Sequence, residues 1–327
     1  MITELVAADI GGTHARFALA QIEDGRVLKL GEALTLKTAD YPSLAEAWQA
    51  FAQHLGRPLP SAAALAFAYP VENELPALSN MPWIIDAQTL PEALGVEHHV
   101  ILNDFCAIGH AVATLEPSQF LHIAGPDTPL PETGVITIVG PGTGLGVGLL
   151  VRGDDRYQVI ASEGGNMDFS PHDDFDDRLM AALRKKYGHV SAERVVSGAG
   201  LRDIYAVIAG TDVPNCDDLQ LWQAALEGSD PPAVAALNRF CLCLGAFAGN
   251  LALAHGANAL VLAGGLGQRL REHLPTSGFA EMLTAKGDYR SILEQLPVKL
   301  ITYPEPGLYG AVAAFAARFG ACSPTEV

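Results

Sequence analysis

Two glycine-rich stretches carry residue types that can handle an anion. In Val139-Gly140-Pro141-Gly142-Thr143-Gly144-Leu145-Gly146-Val147-Gly148, glycine occupies every second position from Gly140 to Gly148. Alternate residues of a strand share a face, so this pattern strips one face of a hairpin of side chains. Bare backbone with converging N–H groups suits a phosphate, and Thr143 adds a hydroxyl. The same glycines would also let a neighbouring strand pack closely. They are further expected to supply a positive-φ turn across Gly140–Gly144. A second stretch, Asp9-Ile10-Gly11-Gly12-Thr13-His14, again reads strand, Gly-Gly-Thr turn, strand. Its Asp9 ends the first strand, where a carboxylate can hold a hydrated Mg²⁺. Two such hairpins suggest two half-domains facing one nucleotide. Neither contains Gly-Lys-Ser/Thr or G-x-G-x-x-G, so the nucleotide would be clamped by hairpins and not by the start of a helix.

Other residues could handle a polar substrate. Asn103-Asp104 follows the buried strand His99–Leu102 and precedes a helix over Phe105–Thr114. The C-terminal ends of buried strands collect catalytic side chains in α/β folds, and an N-cap role for the pair is compatible with that. Ser79-Asn80 beside Pro82-Trp83 suits a sugar pocket. Glu193, read alone, is a surface helix residue beside Arg194.

These residues need elements to hold them. Arg26–Lys37 reads as a third antiparallel strand, Ser43 as the cap of a helix reaching about Leu55, and Ala62–Ala68 as an apolar strand. Leu90–Leu94 is a short helix and Tyr157–Ser162 a strand. Asp173–Tyr187 is an amphipathic helix with acids first and Arg184-Lys185-Lys186 last, as its dipole favours. Pro214–Pro232 reads as a solvated helix with loops. Pro231–His255 is apolar on all sides and therefore central. Strand Ala259–Ala263 runs into Gly264-Gly265, which could lie against an adenine. Helix Leu266–Leu274, strand Val298–Tyr303 and helix Gly307–Phe319 follow, the last with Gly307 and Gly310 on one face.

Composition bounds the class. A chain of 327 residues is long enough for two domains, and 49% hydrophobic with 17% charged residues describes a well-buried globular protein. The net charge of −17 disfavours nucleic acid and anionic membranes as partners. ATP would have to be held by local amides and Mg²⁺ against that field. Five cysteines without paired spacing suggest reduced thiols in the cytosol. Phe240–Gln268 lacks charge, yet Asn250, His255 and Asn258 interrupt it, so a core is expected there and no membrane span. Gly245-x-x-x-Gly249 then marks a close helix contact inside that core. Glu4 and Asp9 near the start argue against a secretory signal.

With these motifs collected, the chain resembles the bacterial glucokinase family of the hexokinase/actin-like ATPase superfamily. The carriers are Asp9-Ile-Gly-Gly-Thr-His-Ala-Arg16, Ser79-Asn-Met-Pro-Trp83, Asn103-Asp-Phe105, Gly140-Pro-Gly-Thr-Gly-Leu-Gly146, Glu163-Gly-Gly-Asn-Met-Asp-Phe169, Gly188-His-Val-Ser-Ala-Glu-Arg194 and Ala263-Gly-Gly265, in the family's order. The resemblance implies a two-domain hexokinase/actin-like (ribonuclease H-like) α/β fold, with mixed central sheets and an inter-domain cleft that closes on sugar and ATP. The small domain would span 1–106 plus 307–327 and the large one 107–306. The implied activity is ATP-dependent phosphorylation of glucose at the 6-hydroxyl, the first step of glycolysis, by a cytoplasmic homodimer.

The resemblance also implies roles for residues. Asp104 would be the catalytic base; Asn80, Asn103, Glu163, Asn166 and Glu193 would hold the sugar. Asp9 would sit on the Mg²⁺ side, through water. Gly11, Gly12 and Thr13, with Gly142, Thr143 and Gly144, would form the phosphate hairpins, and Gly264 and Gly265 the adenosine contact. Three positions depart from the family pattern. His14 stands in place of the usual Asn, Pro141 in place of a small residue, and Asn166 in place of a His that touches the sugar near its anomeric end. A broader hexose kinase, taking mannose or an aminosugar, is the alternative. A non-catalytic sugar-sensing regulator is disfavoured, because Asp104 is intact and no helix-turn-helix precedes Ile2–Asp9.

Overall fold

The computed structural model describes residues 3–68, 83, 85–154, 156–211 and 217–320. The chain divides into two compact units, Met1–Leu115 with Tyr303–Val327, and Glu116–Thr302. In the first unit, β1 (Thr3–Ile10) and β2 (His14–Glu23) form the expected hairpin, with Asp9 opposite Arg16. The strand expected over Arg26–Lys37 is instead two. β3 (Arg26–Leu30) pairs with the far end of β2 and β4 (Leu34–Lys37) with its start. The break falls at Gly31, whose N–H donates to Leu19 O at 2.8 Å and where a Cβ would stand 3.0 Å from that same oxygen, a tight contact for any side chain.

Helix α1 (Leu44–Leu55) starts at Ser43, whose hydroxyl accepts from Glu46 N, and stops at Gly56, whose φ is 66°. Then come β5 (Ala62–Phe67), α2 (Leu90–Leu94), β6 (His98–Asn103) and α3 (Asp104–Thr114). The sheet runs β3-β2-β1-β5-β6, with β4 also on β2, and β1, β5 and β6 are parallel. Strand alternation makes both faces apolar. Val6, Ala8 and Ile10 pack with Phe17, Trp48 and Phe51. Leu5 and Ala7 pack with Ala107 and with Val312 and Phe315 of the C-terminal helix. Asp9 continues the Leu5–Ala7 face, and Arg16 continues the face of Ala18 and Ala20.

The second unit begins with β7 (Phe120–Ala124), β8 (Gly134–Pro141), β9 (Leu145–Arg152) and β10 (Tyr157–Ser162). Helices α4 (Asp174–Tyr187), α5 (Ala192–Val195), α6 (Gly200–Ala209), α7 (Asp218–Glu227) and α8 (Pro231–His255) follow. The unit closes with β11 (Ala259–Leu262), α9 (Gly264–Arg269), α10 (Phe279–Thr284), α11 (Arg290–Leu293) and β12 (Val298–Ile301). Its sheet order is β10-β9-β8-β11-β12-β7, again an antiparallel meander joined to parallel strands.

Helix α8 is the core of this unit. It is long and apolar enough to cross a membrane, yet 67% of its most apolar window is buried inside the unit. A Cβ on Gly245 would overlap Phe279 O and one on Gly249 would overlap Leu283 O, so α10 lies directly on the glycine face. Helix α7 is less solvated than expected, since Leu221, Trp222 and Ala225 are buried and Trp222 Nε1 donates to Gly198 O at 3.1 Å. The helix expected over Leu266–Leu274 starts earlier and ends at Arg269. Pro275 disfavours a helical Leu274, and the Gln268 side chain turns to donate to Ile301 O. The sequence pattern does not single out strand β7 or helices α6, α10 and α11.

Helix α12 (Pro306–Phe319) returns to the first unit and packs on α3, where a Cβ at Gly310 would overlap Ala107 O.

Candidate functional site

In the first unit the candidate residues gather at one end of the parallel strands. Register sets Ile10 beside Phe67 and Phe67 beside Asn103, so Asp9 on β1 and the Asn103-Asp104 pair after β6 lie at the same end of the sheet, with β5 between them. Asn103 Oδ1 accepts from Phe105 N at 2.8 Å and Cys106 N at 3.2 Å, which caps α3 as read from the sequence. Asp104 Oδ1 accepts from Phe105 N at 2.8 Å. The Gly11–Thr13 turn closes through Gly11 N donating to His14 O. Thr38 stitches it from outside, its Oγ1 donating to Gly12 O at 2.7 Å and its N–H to Thr13 O at 3.1 Å. His14 Nδ1 lies 3.1 Å from Thr13 Oγ1.

Asp9 has two neighbours that motif reasoning passed over. Arg16 Nη1 donates to Asp9 Oδ2 at 3.3 Å, and Arg16 Nε lies 3.6 Å from Glu305 Oε2. One guanidinium therefore spans two carboxylates. Burial pushes the Asp9 carboxyl above the ordinary range, and Arg16 opposes that rise. Glu305 is raised for the same reason, with Arg16 opposing and Asp9 adding. A Cβ at Gly307 would stand 3.0 Å from Asp9 Oδ2, so glycine at the head of α12 makes room for the carboxylate. Arg16 was legible, because hairpin register puts it opposite Asp9. Glu305 was not, since it comes from the other end of the chain.

In the second unit the tip of the β8–β9 hairpin is the meeting point. Gly140 pairs with Gly146 and Pro141 with Leu145, and Gly142 N donates to Gly144 O at 2.8 Å. The positive-φ turn expected here does not occur: neither Gly142 nor Gly144 has a left-handed φ. Close approach is what calls for glycine. A Cβ at Gly144 would stand 2.6 Å from Glu193 Oε2, which accepts from Leu145 N at 3.0 Å. A Cβ at Gly165 would overlap Leu145 O. Gly198 N donates to Gly142 O at 2.8 Å. The left-handed glycine is Gly264, with φ 81°, and a Cβ there would stand 2.7 Å from Pro141 O.

Glu193 thus sits on the hairpin and is only half-exposed, unlike the surface residue it resembles in isolation. Glu163 precedes a 3-10 turn over Gly164–Asn166, and Asn166 Nδ2 donates to Glu163 Oε2 at 3.4 Å. The Glu163 and Glu193 segments are tied by Ala192 N donating to Met167 O and Phe169 N donating to Val190 O. Thr143 is exposed at the tip, and Gly265 is exposed with nothing near its missing side chain. The loop after Asn166 is anchored at Asp176, buried to 1% exposure, which accepts from His172 N, Arg239 Nη1 and Cys243 Sγ. Asn80 lies outside the described residues.

Two mixed α/β units, each built around a strand–glycine turn–strand hairpin, define the class: this is the two-domain hexokinase/actin-like ATPase fold. A family model described as Glucokinase matches residues 6–318. The chain belongs to the glucokinase family. It is 53% identical over 319 residues to the glucokinase of Zymomonas mobilis subsp. mobilis, covering 97% of this chain and 98% of that one. It is 35% identical over 326 residues to a Yersinia pestis glucokinase, covering 98% of both. A crystal structure of glucokinase from an Antarctic psychrotroph superposes with a TM-score of 0.80 at 33% identity, over 95% of this chain and 98% of that one.

Proposed function

We infer that this chain transfers the γ-phosphoryl group of ATP to the 6-hydroxyl of glucose, giving glucose 6-phosphate and ADP. What carries the reading is the convergence of Glu193 and the Glu163–Asn166 turn on a glycine hairpin, in a chain that matches its family almost end to end. A carboxylate can accept hydrogen bonds from two hydroxyls, and exposed amides can donate to phosphate oxygens.

Phosphoryl transfer asks mainly for alignment and charge neutralisation. Asp104 takes the proton of the 6-hydroxyl as its oxygen attacks the γ-phosphorus and the bond to the β-bridging oxygen breaks. Asn103, Asn80, Glu163, Glu193 and Asn166 hold the remaining hydroxyls. Gly11–Thr13 and Gly142–Thr143 present amides and hydroxyls to the phosphates. Gly264 is occupied by packing on Pro141, which leaves the open Gly265 as the surface for adenosine.

A hydrated Mg²⁺ fits Asp9. The carboxylate is partly buried, its proton affinity is raised by burial, and a hard divalent cation needs few protein oxygens when it keeps its water. When bound, the ion neutralises phosphate charge that Arg16 alone cannot match. In this reading the reaction is the first step of glycolysis, in the cytoplasm. Among the described residues Cys106, Cys241 and Cys243 are thiols and not disulfides, which accords with a reducing compartment.

A coupled ADP-release assay across glucose, mannose, fructose and glucosamine tests the reading. Glucose should give the highest kcat/KM, and ADP release that glucose does not stimulate would overturn it. The broader hexose reading is favoured by one observation, that an amide and not an imidazole touches Glu163.

A further inference from the structure

We propose that Gly144 sets the sugar affinity of this enzyme by making room for the Glu193 carboxylate, although it belongs to the hairpin assigned to phosphate. The proposal rests on the reading of Glu193 as a sugar-hydroxyl acceptor.

The geometry is local and specific. Glu193 Oε2 accepts the Leu145 amide at 3.0 Å, and this bond fixes where the carboxylate stands. The missing Cβ of Gly144 is what permits it, since a methyl carbon there would lie 2.6 Å from Oε2 and 3.2 Å from the carboxyl carbon. One partner must move. The hairpin tip is held on three further sides: Gly165 packs against Leu145 O, Gly198 N donates to Gly142 O, and Gly264 packs against Pro141 O. All three contacts are to backbone, and those at Gly165 and Gly264 admit no side chain. The Glu193 carboxylate is the far end of a flexible side chain, so it is the group that gives way. Gly142 differs, because a Cβ there meets nothing within 4 Å. Two glycines that look equivalent in the sequence therefore divide the labour. Gly142 borders open space that a phosphate can enter, whereas Gly144 borders the sugar carboxylate.

The consequence is separable by substitution. Gly144→Ala displaces a charged acceptor without touching the sugar, and a hydrogen bond to a charged group is worth about 10- to 100-fold in affinity. Calorimetric titrations with glucose alone, and with a non-hydrolysable ATP analogue alone, are made on wild type, Gly144→Ala, Gly142→Ala and Glu193→Gln. Gly144→Ala should raise the glucose Kd about 10-fold or more while its nucleotide Kd stays within about twofold. In turnover the loss should appear in KM for glucose and leave KM for ATP unchanged. Gly142→Ala should show the glucose Kd of wild type.

If Glu193→Gln weakens glucose but Gly144→Ala does not, the proposal falls and the reading of Glu193 stands. If Glu193→Gln binds glucose as wild type does, that reading falls and takes the proposal with it. A Gly144→Ala protein that loses nucleotide and keeps glucose also overturns it. A second measurement needs no folded variant at position 144. In wild-type protein labelled with ¹⁵N-leucine, glucose added without nucleotide should shift the Leu145 amide resonance, assigned through Leu145→Val, and an unmoved resonance would overturn the proposal.

Discussion

At the residue scale, the proposed reaction rests on one proton acceptor. Asp104 lies at the head of α3 with Asn103 capping the helix beside it, so Asp104→Asn should keep the cap and remove only the acceptor charge. General-base catalysis supplies about 10²–10⁴-fold, and a loss of that size is expected in kcat with glucose Kd little changed. Steady-state kinetics beside calorimetry decide it, and a variant retaining half the wild-type kcat would remove Asp104 from the role. Asn166 works on a smaller scale. Its amide reaches Glu163 Oε2, and exchanging one hydrogen bond is worth about 2- to 12-fold. Asn166→His should sharpen discrimination between glucose and mannose by a factor in that range. Ratios of kcat/KM within about twofold of wild type would mark the position as neutral.

At the element scale, several contacts are made by backbone lying on backbone. Helix α12 rests on α3 at Gly310, and α10 rests on α8 at Gly245 and Gly249. A methyl group at Gly310 would meet the Ala107 carbonyl, which cannot turn aside without disturbing α3. Overpacking of this kind typically costs about 1–3 kcal/mol, and a rigid backbone partner puts the site at the upper end. Gly56, at the end of α1, has φ 66° and open space around it, so Gly56→Ala carries only a conformational cost of about 1 kcal/mol. Urea denaturation should therefore rank Gly310→Ala as the more destabilised. The reverse order would mean that α12 shifts freely on α3.

At the scale of the whole molecule, acid should weaken the fold in a way traceable to one group. Burial lowers the His110 pKa to about 4 from an ordinary value of 6.5. The unfolded chain then takes up this proton at higher pH than the folded one. Stability from this source is complete above about pH 6.5, is lost as pH falls through that value, and levels off near pH 4. The span corresponds to on the order of 3 kcal/mol. His110→Gln cannot titrate, so the gap between the two unfolding free energies should change across pH 6.5 to 4 and stay constant above. A constant gap throughout would show that the imidazole titrates normally. The net charge of −17 acts oppositely, because acid reduces self-repulsion, and comparison with the variant cancels that contribution.

Much of this protein was determined by its sequence alone, wherever structure depends on near neighbours. The β1–β2 hairpin, the Ser43 and Asn103 caps, the central helix α8 with its Gly245–Gly249 contact face, and the end-to-end likeness to glucokinases all follow from local pattern or motif order. Tertiary structure decided what depends on residues distant in the chain. It broke Arg26–Lys37 into two strands, because β2 offers its two ends as separate partners. It brought Glu305 to Arg16, and it turned Glu193 from an apparent surface residue into a ligand of the Leu145 amide. It also replaced the reason for the glycine at Gly144. Spacing shows that side chains are missing, but the group that fills the space is set by a helix folded back from another part of the chain, and no local rule contains that contact.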